Sequence, residues 1–294
     1  MGIGKEMMEK YPGGRWVTIR GGNKVYIKKD GEPAPETPIE KEAKNTDEMY
    51  KDEKGNYIEK RKKEVHEPII NKILEQAGES EKYPTIILTG GGSASGKSSI
   101  RNEYVEDLKK YGNRSAGIID SDDIKSDIPE YEQFQKEDPD GAAMRVHDES
   151  SDISKEAIDA CFREKKNFVF DGTMKNYDKY AKLIKRAKKE GYQVVILGAD
   201  CSLEEAKRRN QDRYEKTGRY VPDEIVEGSH TKFPQVFEKL CDMADDYWLY
   251  STEGDKKLVN SKATGAADPD KYSQFLNKGG MGDKKMTKGV LSHA

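Results

Sequence analysis

Residues 85–99 constrain this chain more than any other stretch. A β-type run, Thr85-Ile86-Ile87-Leu88-Thr89, empties directly into Gly90-Gly91-Gly92-Ser93-Ala94-Ser95-Gly96-Lys97-Ser98-Ser99. Within it, Gly91-x4-Gly96-Lys97-Ser98 has the spacing of a phosphate-binding loop. Glycines let backbone N–H groups close around a polyphosphate, a lysine reaches the β and γ oxygens, and a serine hydroxyl ligates Mg2+. Ile100, Tyr104 and Leu108 follow at helical spacing, so the loop opens a helix whose N-terminus adds positive potential. The candidate nucleotide-binding residues are therefore Gly91, Gly92, Ser93, Ala94, Ser95, Gly96, Lys97, Ser98 and Ser99, with Ser98 as metal ligand. A Gly/Ser connection between unrelated elements would share the composition but not the strand before and the helix after.

Beyond the loop, strand-like and helical patterns alternate. Strands are expected at 85–89, 116–120, 167–171, 193–198 and 246–250, with helices near 98–111, 148–165, 176–190, 201–216 and 223–242. Such alternation implies an α/β fold: a parallel sheet of five or more strands covered by helices on both faces. Ligands of these folds collect at the carboxyl ends of the strands. With 36% charged and 34% hydrophobic residues in 294, there is apolar material for one core, so one enzymatic domain with appendages is expected. Residues 15–29 read as a small hairpin around Gly21-Gly22, and 30–60 as a charged linker. The domain proper is expected over 61–260, with 261–294 as a flexible tail rich in Ala, Gly, Lys and Asp.

Charge and cysteines exclude several classes. A net charge of -3 offers no global attraction to nucleic acid or membrane, and no apolar run is long enough to span a bilayer. The start Met1-Gly2-Ile3-Gly4-Lys5-Glu6 lacks a signal-peptide core, which points to a soluble protein made in the cytosol. Cys161, Cys201 and Cys241 are isolated, so a disulfide framework or a zinc site is not expected. His147 falls at a helix start among the motifs, where a solvated or structural role outweighs ligation.

Three further clusters carry chemistry. The second strand ends in Ile119-Asp120-Ser121-Asp122-Asp123, carboxylates able to support Mg2+ or accept a proton, although an Asp-rich turn and helix cap would look similar. The third ends in Asp171-Gly172-Thr173, able to bind a hydroxyl or a base, with capping as the alternative. After the fourth strand, Arg208, Arg209, Arg213 and Arg219 precede Pro222; Arg209 and Arg213 share a helical face, and such arginines neutralise a migrating phosphoryl group or form a solvated, salt-bridged face.

Taken in order, the phosphate loop, Ile119-Asp120-Ser121-Asp122, Asp171-Gly172-Thr173 and the arginine series resemble the zeta toxin family of P-loop kinases, from Tyr83 to Leu258. The resemblance implies a three-layer kinase fold and transfer of phosphate from ATP or GTP, with Mg2+, to the 3′-hydroxyl of the amino sugar in UDP-N-acetylglucosamine. That would deplete a cell-wall precursor in a bacterial host. By motif it assigns Lys97 and Ser98 to the phosphates and metal, Asp122 as catalytic base, Asp120 as metal support, and Arg213 and Arg219 as the clamp on the transferring group. Glu156, Asp171 and Thr173 would line the sugar-nucleotide pocket with Asp122. Asp171 and Lys175 depart from the Glu and Arg often found there, which alters reach and bidentate recognition. A nucleoside, dinucleotide or nucleic-acid 5′ end is the alternative acceptor, nucleic acid being disfavoured by the acidic balance. The 15–29 hairpin is similar to short segments at the ends of phage head-associated proteins, which implies a phage-particle partner and, as the non-enzymatic alternative, a particle-associated protein whose P-loop domain merely binds nucleotide. A separate antitoxin, or the N-terminal arm itself, would provide inhibition.

Overall fold

The computed structural model describes residues 10–18, 24–30, 34, 44–138, 141–217 and 221–281. The elements begin with β1 (Arg15–Thr18), β2 (Lys24–Ile27), α1 (Thr46–Tyr50), α2 (Glu59–Arg61), a π-helical turn (Lys62–His66) and α3 (Glu67–Ala77). Then come β3 (Thr85–Gly90), α4 (Lys97–Gly112), β4 (Gly117–Asp120), α5 (Ser121–Asp127), α6 (Glu130–Glu137), α7 (Ala142–Arg145), α8 (His147–Arg163) and β5 (Phe168–Asp171). The chain continues through α9 (Tyr177–Lys189), β6 (Gln193–Asp200), α10 (Leu203–Thr217), α11 (Asp223–Cys241), β7 (Asp246–Ser251), β8 (Lys257–Ser261), β9 (Gly265–Ala266) and α12 (Pro269–Lys278). They group into two compact units, Met1–Ile70 with Ser121–Glu156, and Asn71–Asp120 with Ala157–Ala294.

The second unit is built on a seven-stranded sheet of order β4-β5-β3-β6-β7-β8-β9, parallel except that β8 pairs antiparallel with both β7 and β9. Its central strands are apolar without alternation because both faces are covered: every residue of β3 is buried. Successive side chains point to opposite faces. On one face Ile87 packs with Ile100, Tyr104 and Leu108 of α4; on the other, the Gly90 position lies against Phe233 of α11. This is the α/β fold with helices on both faces that the alternation predicts. The three cysteines are buried and free, their thiols pushed up chiefly by burial, Cys201 to about 11 and Cys161 to about 12. Among the described residues no helix is long and apolar enough to cross a membrane.

The expected flexible tail from 261 needs correction over its first part. Residues 265–278 add β9 and α12, and Phe275, fully buried, meets Phe233 at 5.5 Å and Phe237 at 5.7 Å between ring centroids. The apolar pair Phe275-Leu276 is buried in an otherwise polar helix, and Tyr272 donates to Glu238 of α11 at 2.6 Å. Residues 282–294 lie outside the described residues.

The first unit groups residues expected as linker with residues expected in the domain. The β1–β2 hairpin has the register Arg15↔Ile27 to Thr18↔Lys24, and Tyr26 is buried against Tyr11, Trp16 and Ala34; the Gly21-Gly22 turn lies outside the described residues. Downstream, cohesion is ionic. Buried Arg61 donates to Glu149 at 2.7 and 2.9 Å and to Glu130 at 2.8 and 2.9 Å, with its guanidinium 3.9 Å from the Tyr50 ring centre. Lys51 reaches Asp152 at 2.9 Å. Sparse apolar residues made 30–60 look like linker, yet these charges tie residues 46–61 to α6 and α8.

Candidate active site

The phosphate loop runs from the end of β3 to the start of α4, and its backbone explains its sequence. Gly91 (φ +152°) and Gly96 (φ +83°) sit where side chains are strained, and Ala94 adopts φ +59°, a left-handed turn rare for a residue with a Cβ. Lys97 Nζ donates to the carbonyls of Gly91 at 3.3 Å and Gly92 at 3.2 Å. Arg209 of α10 donates to the Ala94 carbonyl at 3.4 Å and to Thr252 Oγ1 at 3.0 Å, while Thr252 Oγ1 donates to the Ser95 carbonyl at 2.7 Å. Thus Arg209 of α10, which was not among the expected clamp residues, touches this loop. Arg213 donates to Asn210 Oδ1 at 3.1 Å, and Arg219 lies outside the described residues.

Next to the loop, the strand-end aspartates are drawn together by a cation that the sequence reading passed over. Buried Arg101, one turn into α4, donates through Nη1 to Asp171 Oδ2 at 2.7 Å and to Asp120 Oδ2 at 3.0 Å. Asp171 Oδ1 accepts from Thr89 Oγ1 at 2.8 Å. Burial, with Asp120 close by, raises the Asp171 carboxyl above its ordinary range against the opposing pull of Lys97 and Arg101. Both oxygens of Asp171 therefore anchor β3, β5 and α4, which makes it a wall of the site more than an open substrate ligand. Thr173 accepts the Gly91 N–H on its carbonyl at 3.4 Å.

Asp122 and Glu156 belong to the first unit. Asp122 stands in the first turn of α5, two residues beyond the end of β4, with Lys125 at 3.0 Å. Glu156 Oε2 lies 3.1 Å from His66 Nδ1, and Glu149 Oε1 lies 3.1 Å from His66 Nε2. Although burial opposes it, the two carboxylates raise the His66 pKa; Glu149, despite burial, is held down to about 2 by His66 and Arg61. His147 is exposed.

For metal, Ser98 presents an exposed hydroxyl on the first turn of α4, and Asp120 shares its Oδ2 with Arg101. No group of three or more His, Cys, Asp or Glu forms a metal cluster among the described residues. One hydroxyl and one carboxylate, completed by phosphate oxygens and water, suit Mg2+, which dehydrates reluctantly. A groove of about 530 Å3, lined by Lys175, Asn176, Tyr177, Glu224, Ile225, Gly228, Ser229 and Lys232, lies beside the Thr173 segment in the second unit.

Residues 70–264 match the family described as Zeta toxin. The chain belongs to the zeta toxin family. Curated relatives include Toxin PezT of Streptococcus pneumoniae, 27% identical over 42% of this chain, and a calmodulin calcium-dependent NAD kinase of Arabidopsis thaliana, 21% identical over 63%. The matched segments span 47% and 43% of those two proteins. Among solved structures, PezAT of S. pneumoniae superposes with a TM-score of 0.61 at 19% identity, covering 79% of this chain and 98% of that one. AvrRxo1-ORF1 with AvrRxo1-ORF2 gives 0.62 at 20%, covering 79% and 82%. This zeta toxin family member thus shares their α/β fold, with its phosphate loop at the carboxyl end of the central strand.

Proposed function

We propose that the protein is a Mg2+-dependent phosphotransferase moving the γ-phosphoryl group of ATP or GTP to a sugar hydroxyl, the 3′-hydroxyl of the amino sugar in UDP-N-acetylglucosamine. The observation that carries this reading is a convergence on one sheet edge. The phosphate loop leaves β3, while Asp171 and Asp120 end the next two strands and meet on Arg101. Membership of the zeta toxin family supplies the reaction class.

In this reading Lys97 and the loop amides hold the donor phosphates, and Ser98 with Asp120 would hold Mg2+. A bound Mg2+ supplies charge neutralisation over the β and γ oxygens. Asp122 accepts the proton of the acceptor hydroxyl; the hydroxyl oxygen's lone pair forms the new O–P bond as the bond from the γ-phosphorus to the β,γ-bridging oxygen breaks, and the nucleoside diphosphate leaves with those electrons. Arg213 and Arg219 close on the charge spread over the transferring group, with Arg209 steadying the loop. Glu156, Asp171 and Thr173 shape the acceptor side. An antitoxin-like protein partner is proposed because PezAT is described as a toxin-antitoxin system and AvrRxo1-ORF1 is found with ORF2.

A second reading keeps the chemistry and makes the acceptor a nicotinamide dinucleotide, favoured by the match to an NAD kinase. Mass spectrometry of UDP-N-acetylglucosamine and NAD, each incubated with protein, ATP and Mg2+, separates them. A phosphate added to the sugar nucleotide supports the first reading, and one added to NAD alone moves the choice to the second. Phosphorylation of neither, by protein shown to bind ATP, overturns both.

A further inference from the structure

Helix α11 grips the phosphate loop at one residue. Ser93 N–H donates to Ser229 Oγ at 2.9 Å, and His230 Nε2 lies 3.0 Å from the Ser93 carbonyl oxygen. Ser229 and His230 are 2% and 3% exposed. Ser229 donates its own hydroxyl proton to the Val226 carbonyl at 2.8 Å, which leaves an oxygen lone pair for the loop. A carbonyl only accepts, so His230 carries its proton on Nε2. That tautomer makes Nδ1 a bare acceptor, and Nδ1 is buried without a hydrogen-bond partner. Burial pushes the His230 pKa down to about 4, consistent with a neutral ring.

The two contacts act on two different peptide planes. In a trans peptide the N–H and the C=O point to opposite sides. Holding Ser93 N–H on α11 therefore turns the Gly92 carbonyl away from α11, and that carbonyl receives Lys97 Nζ at 3.2 Å. Holding the Ser93 carbonyl on α11 likewise turns the Ala94 N–H away from α11. Ala94 is the loop residue in the left-handed region, φ +59°, the kind of turn that makes successive amides converge into an anion-binding nest. Such a conformation is strained in a non-glycine residue and persists where surrounding contacts hold it.

Gly92 supplies an independent sign. A Cβ there would lie 2.1 Å from His230 Cδ2. The phosphate-loop spacing needs glycine at 91 and 96 but leaves 92 open, so close approach of the imidazole accounts for this third glycine.

We infer that His230, with Ser229, is a positioning residue for the donor phosphates: it fixes the Ser93–Ala94 peptide so that the Ala94 N–H joins the anion nest. The inference rests on the reading of this loop as the donor site. It is tested with the full chain by calorimetric titration with Mg-ATP and by hydrogen exchange of the peptide spanning 91–97. His230→Ala is expected to weaken ATP binding about tenfold and speed exchange at Ser93 to Ser95. His230→Gln, whose amide can donate to the same carbonyl, is expected to stay within about threefold of wild type. Phe162→Leu, a core lesion in the Phe162–Phe168–Tyr192 cluster, controls for lost stability alone and should leave affinity unchanged. Folded His230→Ala that binds ATP like wild type, or His230→Gln no better than Ala, overturns the inference. Should His230→Ala not fold, Ser229→Ala carries the test, and unchanged exchange at Ser93 overturns it. Wild-type protein that binds no ATP defeats the kinase reading instead, and the exchange comparison still judges the brace.

Discussion

A guanidinium shared by a buried and a half-buried carboxylate changes what each of them can do. Arg101 pulls against the burial that raises the Asp171 carboxyl, and it was invisible as a site residue because one arginine in a charged helix looks like surface. Arg101→Gln takes this buried cation away from both carboxylates, and removing one partner of a buried ionic group costs about 3–5 kcal/mol. Urea unfolding should show that loss; a change below about 1 kcal/mol would mean that the pair is dispensable. Asp122 should behave oppositely. Its side chain is partly exposed and pairs with Lys125 across one helical turn, and such solvent-exposed pairs contribute little, so Asp122→Asn should scarcely alter stability. Phosphoryl transfer should fall by about 10²–10⁴, the usual contribution of a general base, with ATP affinity retained. Equal rates for the variant and wild type would remove Asp122 from the base role.

At the scale of elements, the π-helical turn Lys62–His66 places His66 with a carboxylate at each ring nitrogen and the Tyr57 ring at 4.5 Å. Two carboxylates call for two N–H donors, so the protonated ring is the form that fits, and its pKa is raised. A group whose folded pKa lies above its unfolded value of about 6.5 contributes stability that is complete below that value and is lost as pH rises through the folded pKa. Glu149, held near 2, stays ionised throughout this window, and Arg61 keeps its charge. Thermal melts should therefore show falling stability from about pH 7 upward, and His66→Gln should flatten that slope. An unchanged slope in the variant would assign it to other groups. Legibility follows a similar physical line. The loop, Asp120 and Asp171 were readable because motif spacing and strand ends are local. His66, Arg101 and His230 were not, because their roles come from partners 19 to 137 positions away in sequence.

For the whole molecule, the central strands announced themselves through unbroken apolar runs, whereas the far side of the sheet did not. The structure continues into β9 and α12 through a segment whose composition reads as tail, because docking depends on Phe275 meeting Phe233 and Phe237 of α11 rather than on any repeating pattern. Lys278, at the end of α12, also bonds Asp200 at the end of β6 and the Cys201 carbonyl at 2.8 Å. Helix α12 thus supports α11, and α11 supports the phosphate loop through Ser229 and His230. Phe275→Ala empties a fully buried site between Phe233 and Phe237, and large-to-small changes of this kind cost about 3–5 kcal/mol. Because the lesion sits one helix away from the loop, ATP affinity of the protein that remains folded should stay within about threefold of wild type while the urea midpoint falls. Loss of affinity far larger than this, with little loss of stability, would mean that α12 sets the position of α11 and is part of how the loop is built. An unchanged urea midpoint would show that residues 269–278 are indeed a loosely held tail.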